Sequence, residues 1–179
     1  KERGKLDGGA AVVTVMSNFG LFRFFEEHGI IPVITKVGDR YVLEEMLKNG
    51  YGIGGEQSGH IIFRRHATTG DGQLTAIKLL SLCRHRGCKL SDISSMMESY
   101  PQVMVNVKAD AEQKIRYAAD TALASLIEQA GNSLGKDGRV LVRASGTEPL
   151  IRVMVEGRDF SNINRLAASL ADSIQKAIG

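Results

Sequence analysis

The stretch Arg143-Ala144-Ser145-Gly146-Thr147-Glu148-Pro149 gathers side chains suited to a small anion. Arg143 offers a planar, permanently charged fork that matches phosphate. Ser145 and Thr147 add hydroxyl donors. Gly146 lets the backbone approach a ligand closely or adopt a positive φ. Successive N–H groups in such a turn form an anion-binding nest. The same residues also suit a plain hairpin turn, and composition alone does not separate the two readings.

A second constellation lies upstream, Gly54-Gly55-Glu56-Gln57-Ser58-Gly59-His60. On an extended backbone Glu56 and Ser58, two residues apart, point the same way. A carboxylate and a hydroxyl so placed suit vicinal sugar hydroxyls. His60 either donates to a ligand or is a satisfied structural histidine, and the structural reading is slightly favoured. Asp39 and Arg40 fall at the carboxyl end of a strand, where open α/β sheets place ligands. Taken alone they read better as a helix-capping Asp beside a solvated Arg.

The elements that must position these residues follow from periodicity. Lys1–Gly9 reads as a linker. Val12–Met16 is a buried strand, Asn18 or Ser17 caps a helix over Phe19–His28, and Ile30–Thr35 is the next strand. Strand, helix, strand in so short a span predicts a βαβ unit with parallel pairing. A helix over Tyr41–Lys48, short strands at Gly52–Gly55 and His60–Phe63, and a helix over Gln73–Arg86 follow. Asp71 is its cap, and Leu74, Ile77, Leu80 and Cys83 form its expected buried stripe. Ser91 caps a short helix that runs to about Met97. Tyr100-Pro101 breaks the pattern and marks a domain boundary, with Tyr100–Gln102 as a hinge. Beyond it, Val103–Val107 is a strand. Asp110 starts one long helix with Ile115, Ala119, Leu123, Leu126 and Ile127 inward and Gly131 beyond its end. Arg139–Arg143 and Leu150–Glu156 make an antiparallel hairpin, and Ser161 caps a closing helix with Ile163, Leu166, Leu170 and Ile174 on its stripe. The expected fold is thus α/β plus α+β. Residues 1–101 form a three-layer βαβ domain with a mixed, mainly parallel sheet. Residues 102–179 form a small domain with helices on one face of an antiparallel sheet.

Composition narrows the function classes. With 179 residues and 43% hydrophobic side chains the chain can bury a core. Its 23 basic and 20 acidic side chains, net +3, argue against nucleic acid or a membrane surface as partner. No apolar run reaches membrane-spanning length, and no signal peptide is visible. Cys83 and Cys88, without further Cys or His ligands nearby, read as reduced thiols of a cytosolic protein rather than a zinc site. The chain begins Lys1-Glu2-Arg3 and reads as a piece of something longer.

Four stretches occur in one order: Val37-Gly38-Asp39-Arg40-Tyr41-Val42, Gly55-Glu56-Gln57-Ser58-Gly59-His60, Thr69-Gly70-Asp71-Gly72 and Arg143-Ala144-Ser145-Gly146-Thr147-Glu148-Pro149. Together they resemble the α-D-phosphohexomutase superfamily and, with Gln57, its bacterial phosphoglucosamine mutase branch. The resemblance spans nearly the whole chain and implies the third and fourth of four domains. It implies an intramolecular phosphotransferase that interconverts glucosamine 6-phosphate and glucosamine 1-phosphate through a phosphoserine and a 1,6-bisphosphate. That reaction feeds UDP-N-acetylglucosamine and cell-wall synthesis in the cytoplasm. Glu56, Ser58, His60 and Arg40 would then hold the sugar, and Arg143, Ser145, Gly146 and Thr147 the non-reacting phosphate. The phosphoserine and the Mg2+ ligands would belong to the absent domains, since no Asp-x-Asp pattern occurs here, so no catalytic or metal-binding residue is expected on this chain. The resemblance assigns no catalytic role to Asp39, because related mutases carry a histidine at about that place. The expected partners are a sugar phosphate, the missing domains of the same chain and, as one allowed assembly, a second copy. Phosphomannomutase, phosphoglucomutase and a non-catalytic sugar-phosphate module remain the alternatives.

Overall fold

The computed structural model describes Gly4 and residues 6–179, which divide into two compact units, one up to Ser99 and one from Tyr100. Of the expected linker, residues 1–3 and 5 lie outside the described residues, and Asp7–Gly9 forms a short 3-10 turn.

The first unit is built on a four-stranded sheet. Its strands are β1 (Ala10–Thr14), β2 (Ile31–Thr35), β3 (Ile53–Gly55) and β4 (Ile61–Phe63), in the order β2-β1-β3-β4. β1 pairs in parallel with β2 and β3, and β4 closes the sheet antiparallel. Helix α1 (Phe19–Glu27) joins β1 to β2, and α2 (Asp39–Asn49) joins β2 to β3. The two crossovers run in opposite directions along the sheet. Right-handed connection therefore places the two helices on opposite faces. Val12 and Ile62 meet Val42 and Met46 of α2 in a fully buried cluster. Asn18 caps α1 through its side chain, which accepts from the Gly20 N–H at 3.0 Å.

Helix α3 (Gly72–Arg86) starts at Asp71, whose carboxylate accepts from Leu74 N at 2.9 Å. The expected burial of its apolar stripe is not observed. Ile77 and Leu80 are 64% and 61% exposed, and Leu74 and Cys83 are half-buried. α3 packs chiefly on the following short helix and not on the sheet, so helical periodicity correctly gave the helix but not a partner for its stripe. The short α4 (Leu90–Ser94) is capped from Lys89, with Asp92 accepting from the Lys89 N–H, and not by Ser91.

The second unit holds β5 (Gln102–Lys108), β6 (Gly138–Ala144) and β7 (Leu150–Gly157) in the antiparallel order β5-β7-β6. Ile151, Val153 and Val155 of β7 face a helical layer dominated by α7 (Phe160–Ile178), from which Ile163, Ala167, Leu170, Ile174 and Ile178 are buried. Asp159, not Ser161, caps α7, accepting from Asn162 N. The expected single long helix is two, α5 (Ala111–Ala119) and α6 (Thr121–Leu134). Asp120 stands between them in extended backbone and accepts from Ala122 N and Leu123 N as the cap of α6. The break resets the helical phase. Leu123 is buried, Ile115 (69% exposed) and Leu126 face solvent, and Gly131 lies inside α6. Tyr100–Gln102, expected as a hinge, is packed chain of this unit. Tyr100 is buried with Arg158 over its ring at 5.4 Å, and the Pro101 carbonyl accepts from Gly157 N at 3.1 Å.

Candidate functional site

In the second unit the alternation of β7 sends Ile151, Val153 and Val155 to the helices and Arg152 to the opposite face. Arg143 stands directly across from Arg152 in the β6–β7 register. Like charges opposed across a strand pair destabilise it unless something neutralises them. Arg152 pairs with Glu148 through Nη2, while its buried Nε has no partner among the described residues. Arg143 is half-buried, and its guanidinium makes no hydrogen bond or ion pair with any described residue. An uncompensated guanidinium beside a second one leaves local positive charge on this face.

The loop that follows is held rigidly. Ser145 is 7% exposed; its N–H donates to the Leu150 carbonyl at 2.9 Å, and its Oγ accepts from Glu148 N at 3.2 Å. Lys114, on α5, donates from Nζ to the carbonyls of Ser145 (2.7 Å) and Glu148 (2.6 Å). The Pro149 carbonyl accepts from Ala109 N at 3.0 Å. Thr147 is exposed and free of such contacts among the described residues. Gly146 does not use positive φ, the first of the two roles expected for it. A side-chain carbon there would meet nothing within 4 Å, so the second role, leaving room for close approach, is the one the backbone permits. Lys114 and Arg152 were not found from sequence. The register of the hairpin identifies Arg152; nothing local points to Lys114, more than thirty residues from the loop.

In the first unit the loops at the carboxyl ends of the parallel strands meet. The strand order turns at β1 and β3, the switch point at which open α/β sheets form crevices. Glu56 follows β3, and its Oε1 accepts from the Gly38 N–H at the start of α2, 2.8 Å away. The carboxylate thus sits at a helix N-terminus, where negative charge is stabilised. No described residue engages its other oxygen. Glu56 N donates to the His60 carbonyl and Gly59 N to the Glu56 carbonyl, both at 3.0 Å, closing a tight turn. Ser58 Oγ and His60 Nδ1 are 3.3 Å apart on the exposed surface. Gly70 packs on His60, since a Cβ there would lie 3.4 Å from the ring. Glu56, Ser58, His60 and the Gly38 loop are therefore one group. Arg40 is on the adjoining helix but turned along it, donating from Nε to Glu44 at 2.8 Å, and that bond raises its pKa. Asp39 accepts from Arg40 N at 2.7 Å and is committed to the helix start, though Gly38 rather than Asp39 is the cap residue.

A cavity of about 350 Å³ between α1 and the sheet reaches Glu56 and Gln57. Leu21, Phe25, Ile53 and Ile61 make its lining almost wholly hydrocarbon, so it is no site for hydroxyls. Among the described residues no group of three or more His, Cys, Asp or Glu side chains is placed to hold a metal ion. Nor is any helix among them long and apolar enough to cross a membrane.

The α/β unit followed by a small α+β unit matches the domain order of a known family. Residues 1–100 match the model of phosphoglucomutase/phosphomannomutase, alpha/beta/alpha domain III, and residues 104–173 that of the C-terminal domain of the same proteins. The chain belongs to the phosphoglucomutase/phosphomannomutase family. Its relatives include the phosphoglucosamine mutase of Caldanaerobacter subterraneus, 54% identical over 99% of this chain and 40% of the relative. That of Caldicellulosiruptor bescii is 51% identical over the same shares. The chain therefore spans about 40% of the length of these curated relatives. In fold it is similar to the N-acetylphosphoglucosamine mutase of Aspergillus fumigatus, solved in complex with GlcNAc-6P and magnesium (TM-score 0.80, 22% identity, 98% of this chain and 40% of that one).

Proposed function

We propose that this chain supplies the sugar-recognition and phosphate-gripping half of a phosphoglucosamine mutase, which interconverts glucosamine 6-phosphate and glucosamine 1-phosphate on the way to UDP-N-acetylglucosamine and cell-wall precursors. The observation that carries it is the opposed Arg143 and Arg152 beside the braced Ser145 loop, an excess of positive charge with a prebuilt frame around it. Arg143, the Ser145 hydroxyl, Thr147 and the open backbone at Gly146 would hold the phosphate that is not reacting. The second oxygen of Glu56 and the Ser58 hydroxyl would take sugar hydroxyls, with His60 alongside. Arg40 would join only by leaving Glu44.

In this reading the phosphoryl group moves between the sugar and a serine outside these residues, by way of glucosamine 1,6-bisphosphate. Phosphoryl transfer depends on positioning and charge stabilisation. Binding energy on the distal phosphate thus positions the reacting end. Mg2+ would serve the intact enzyme through ligands outside this chain, as the family resemblance implies. The unit up to Ser99 would be the sugar domain and the unit from Tyr100 the phosphate domain of a cytoplasmic enzyme.

Titration calorimetry of the intact protein with glucosamine 6-phosphate, against inorganic phosphate and glucose 6-phosphate, tests this. Arg143→Ala is expected to weaken sugar-phosphate binding by roughly tenfold or more, the scale of one charge-assisted hydrogen-bonding group. Unchanged affinity would remove Arg143 from the site. Mutase turnover by residues 1–179 alone would contradict the division of labour.

A further inference from the structure

Helix α3 ends at Gly87, which takes a left-handed φ of +63°. Gly87 N donates to the Arg84 carbonyl at 3.4 Å and Cys88 N to the Cys83 carbonyl at 3.1 Å. This nested pair of bonds is the Schellman termination, in which the two residues joined by the wider bond bring their side chains into contact across the turn. Apolar residues usually occupy those two places; here both are cysteines, and both are half-exposed. Both cysteines are free thiols. Partial burial, and after it the neighbouring Cys88 thiol, push the Cys83 thiol upward. A backbone bond of this kind holds two Cα atoms within the roughly 4.4–6.8 Å that a disulfide spans.

We propose that Cys83 and Cys88 are a modification site, a dithiol that closes reversibly into a disulfide across the C-terminal cap of α3 under a two-electron oxidant of the hydroperoxide class. One sulfur, as thiolate, attacks hydrogen peroxide. An S–O bond forms, the O–O bond breaks, and hydroxide leaves and takes up a proton as water. The other sulfur then attacks the sulfenic sulfur. The S–S bond forms, the S–O bond breaks, and a second water leaves with the remaining thiol proton. Two electrons pass from the sulfurs to the peroxide, and a dithiol reductant reverses the change. The proposal is independent of the sugar-phosphate site.

Trypsin cuts after Arg84 and Arg86, placing the two cysteines on separate peptides, 79–84 and 87–89. The intact protein is treated with hydrogen peroxide in native buffer, its remaining thiols are alkylated, and the digest is read by mass spectrometry without reductant. The expected product is 79–84 joined to 87–89, released by dithiothreitol. Gly87→Asn, which tolerates left-handed backbone, should keep the rate. Gly87→Val should slow it by roughly five- to thirty-fold, since a β-branched residue resists that conformation although the space around Gly87 is open. Separate oxidation of the two thiols with no joined peptide, or equal rates in wild type and Gly87→Val, overturns the proposal.

Discussion

The loops at residues 56–60 and 145–149 draw on similar side chains, a carboxylate, hydroxyls and a glycine, yet are stabilised in opposite ways. In the second unit the loop is fixed from outside by Lys114 and Ala109 and from within by buried Ser145, while Arg143 and Thr147 stay uncommitted. In the first unit the residues from Gln57 to His60 are all exposed, and the side-chain tie to another loop is the Glu56 carboxylate itself, on Gly38. In the proposed reading, one loop keeps its ligand-binding groups apart from the groups that hold its shape. The other uses the same carboxylate for both. A preformed site loses little ordering free energy when it binds, and a site that shares its groups loses more.

The sharpest test of the rigid side of this contrast is the hairpin that carries the loop at residues 145–149. At its far end Arg139 Nε donates to Glu156 at 2.6 Å, with the Glu156 side chain fully buried and Arg139 at 20% exposure. Glu156→Ala leaves a mostly buried guanidinium without that partner. The loss is expected near the lower bound for breaking a buried pair, about 3 kcal/mol, because Arg139 retains some solvent. Urea unfolding of the intact protein, followed by a probe in the second unit, measures it. A loss below about 1 kcal/mol would mean the hairpin owes its rigidity to packing alone.

Lys114→Met comes next. The methionine keeps the aliphatic stem and removes the ammonium that bonds two loop carbonyls. Stability should fall by about 1–2 kcal/mol and phosphate affinity by roughly tenfold, although in this reading Lys114 donates to the loop and not to the ligand. An affinity loss without any change in stability would instead make Lys114 a direct ligand contact.

How far these features were legible in sequence follows from their range. The βαβ order, the hairpin and the closing helix rest on local periodicity and turn residues, and the strands and helices fall within a few residues of expectation. Two of the errors share one cause, a pattern carried across a point at which a polar side chain had already reset it. Asp120 splits one expected helix in two, and Asp159 captures the cap assigned to Ser161. The exposed Ile77 and Leu80 show the related limit that a stripe states what a helix offers and not what meets it. At the site, Arg143 and Glu56 announced themselves through neighbours in sequence. Arg152 required the strand register, and Lys114 required the packing of α5 against the loop.

On the adaptable side, Glu56→Gln keeps an oxygen for Gly38 and removes only the charge at the start of α2. The cost to stability should be about 0.5 kcal/mol, the range for a carboxylate at a helix N-terminus. Sugar-phosphate binding should fall further than that, because a neutral amide is a weaker acceptor for two hydroxyls. If the two losses were equal, Glu56 would be a helix-stabilising residue and the sugar would be held elsewhere.

Arg40→Ala is expected to have the smallest structural effect and is informative for that reason. Its side chain is 82% exposed, and its partner Glu44 lies one turn along the same helix. Such pairs contribute little to folding. The unfolding midpoint should therefore stay where it is, and any change in glucosamine 6-phosphate affinity must come from contact with the ligand. Weakened binding that inorganic phosphate does not share would show that Arg40 leaves Glu44 to meet the sugar. Unchanged binding would confine the sugar site to the Glu56 turn and its Gly38 neighbour, and would make the Arg40–Glu44 pair a feature of the surface of α2 alone.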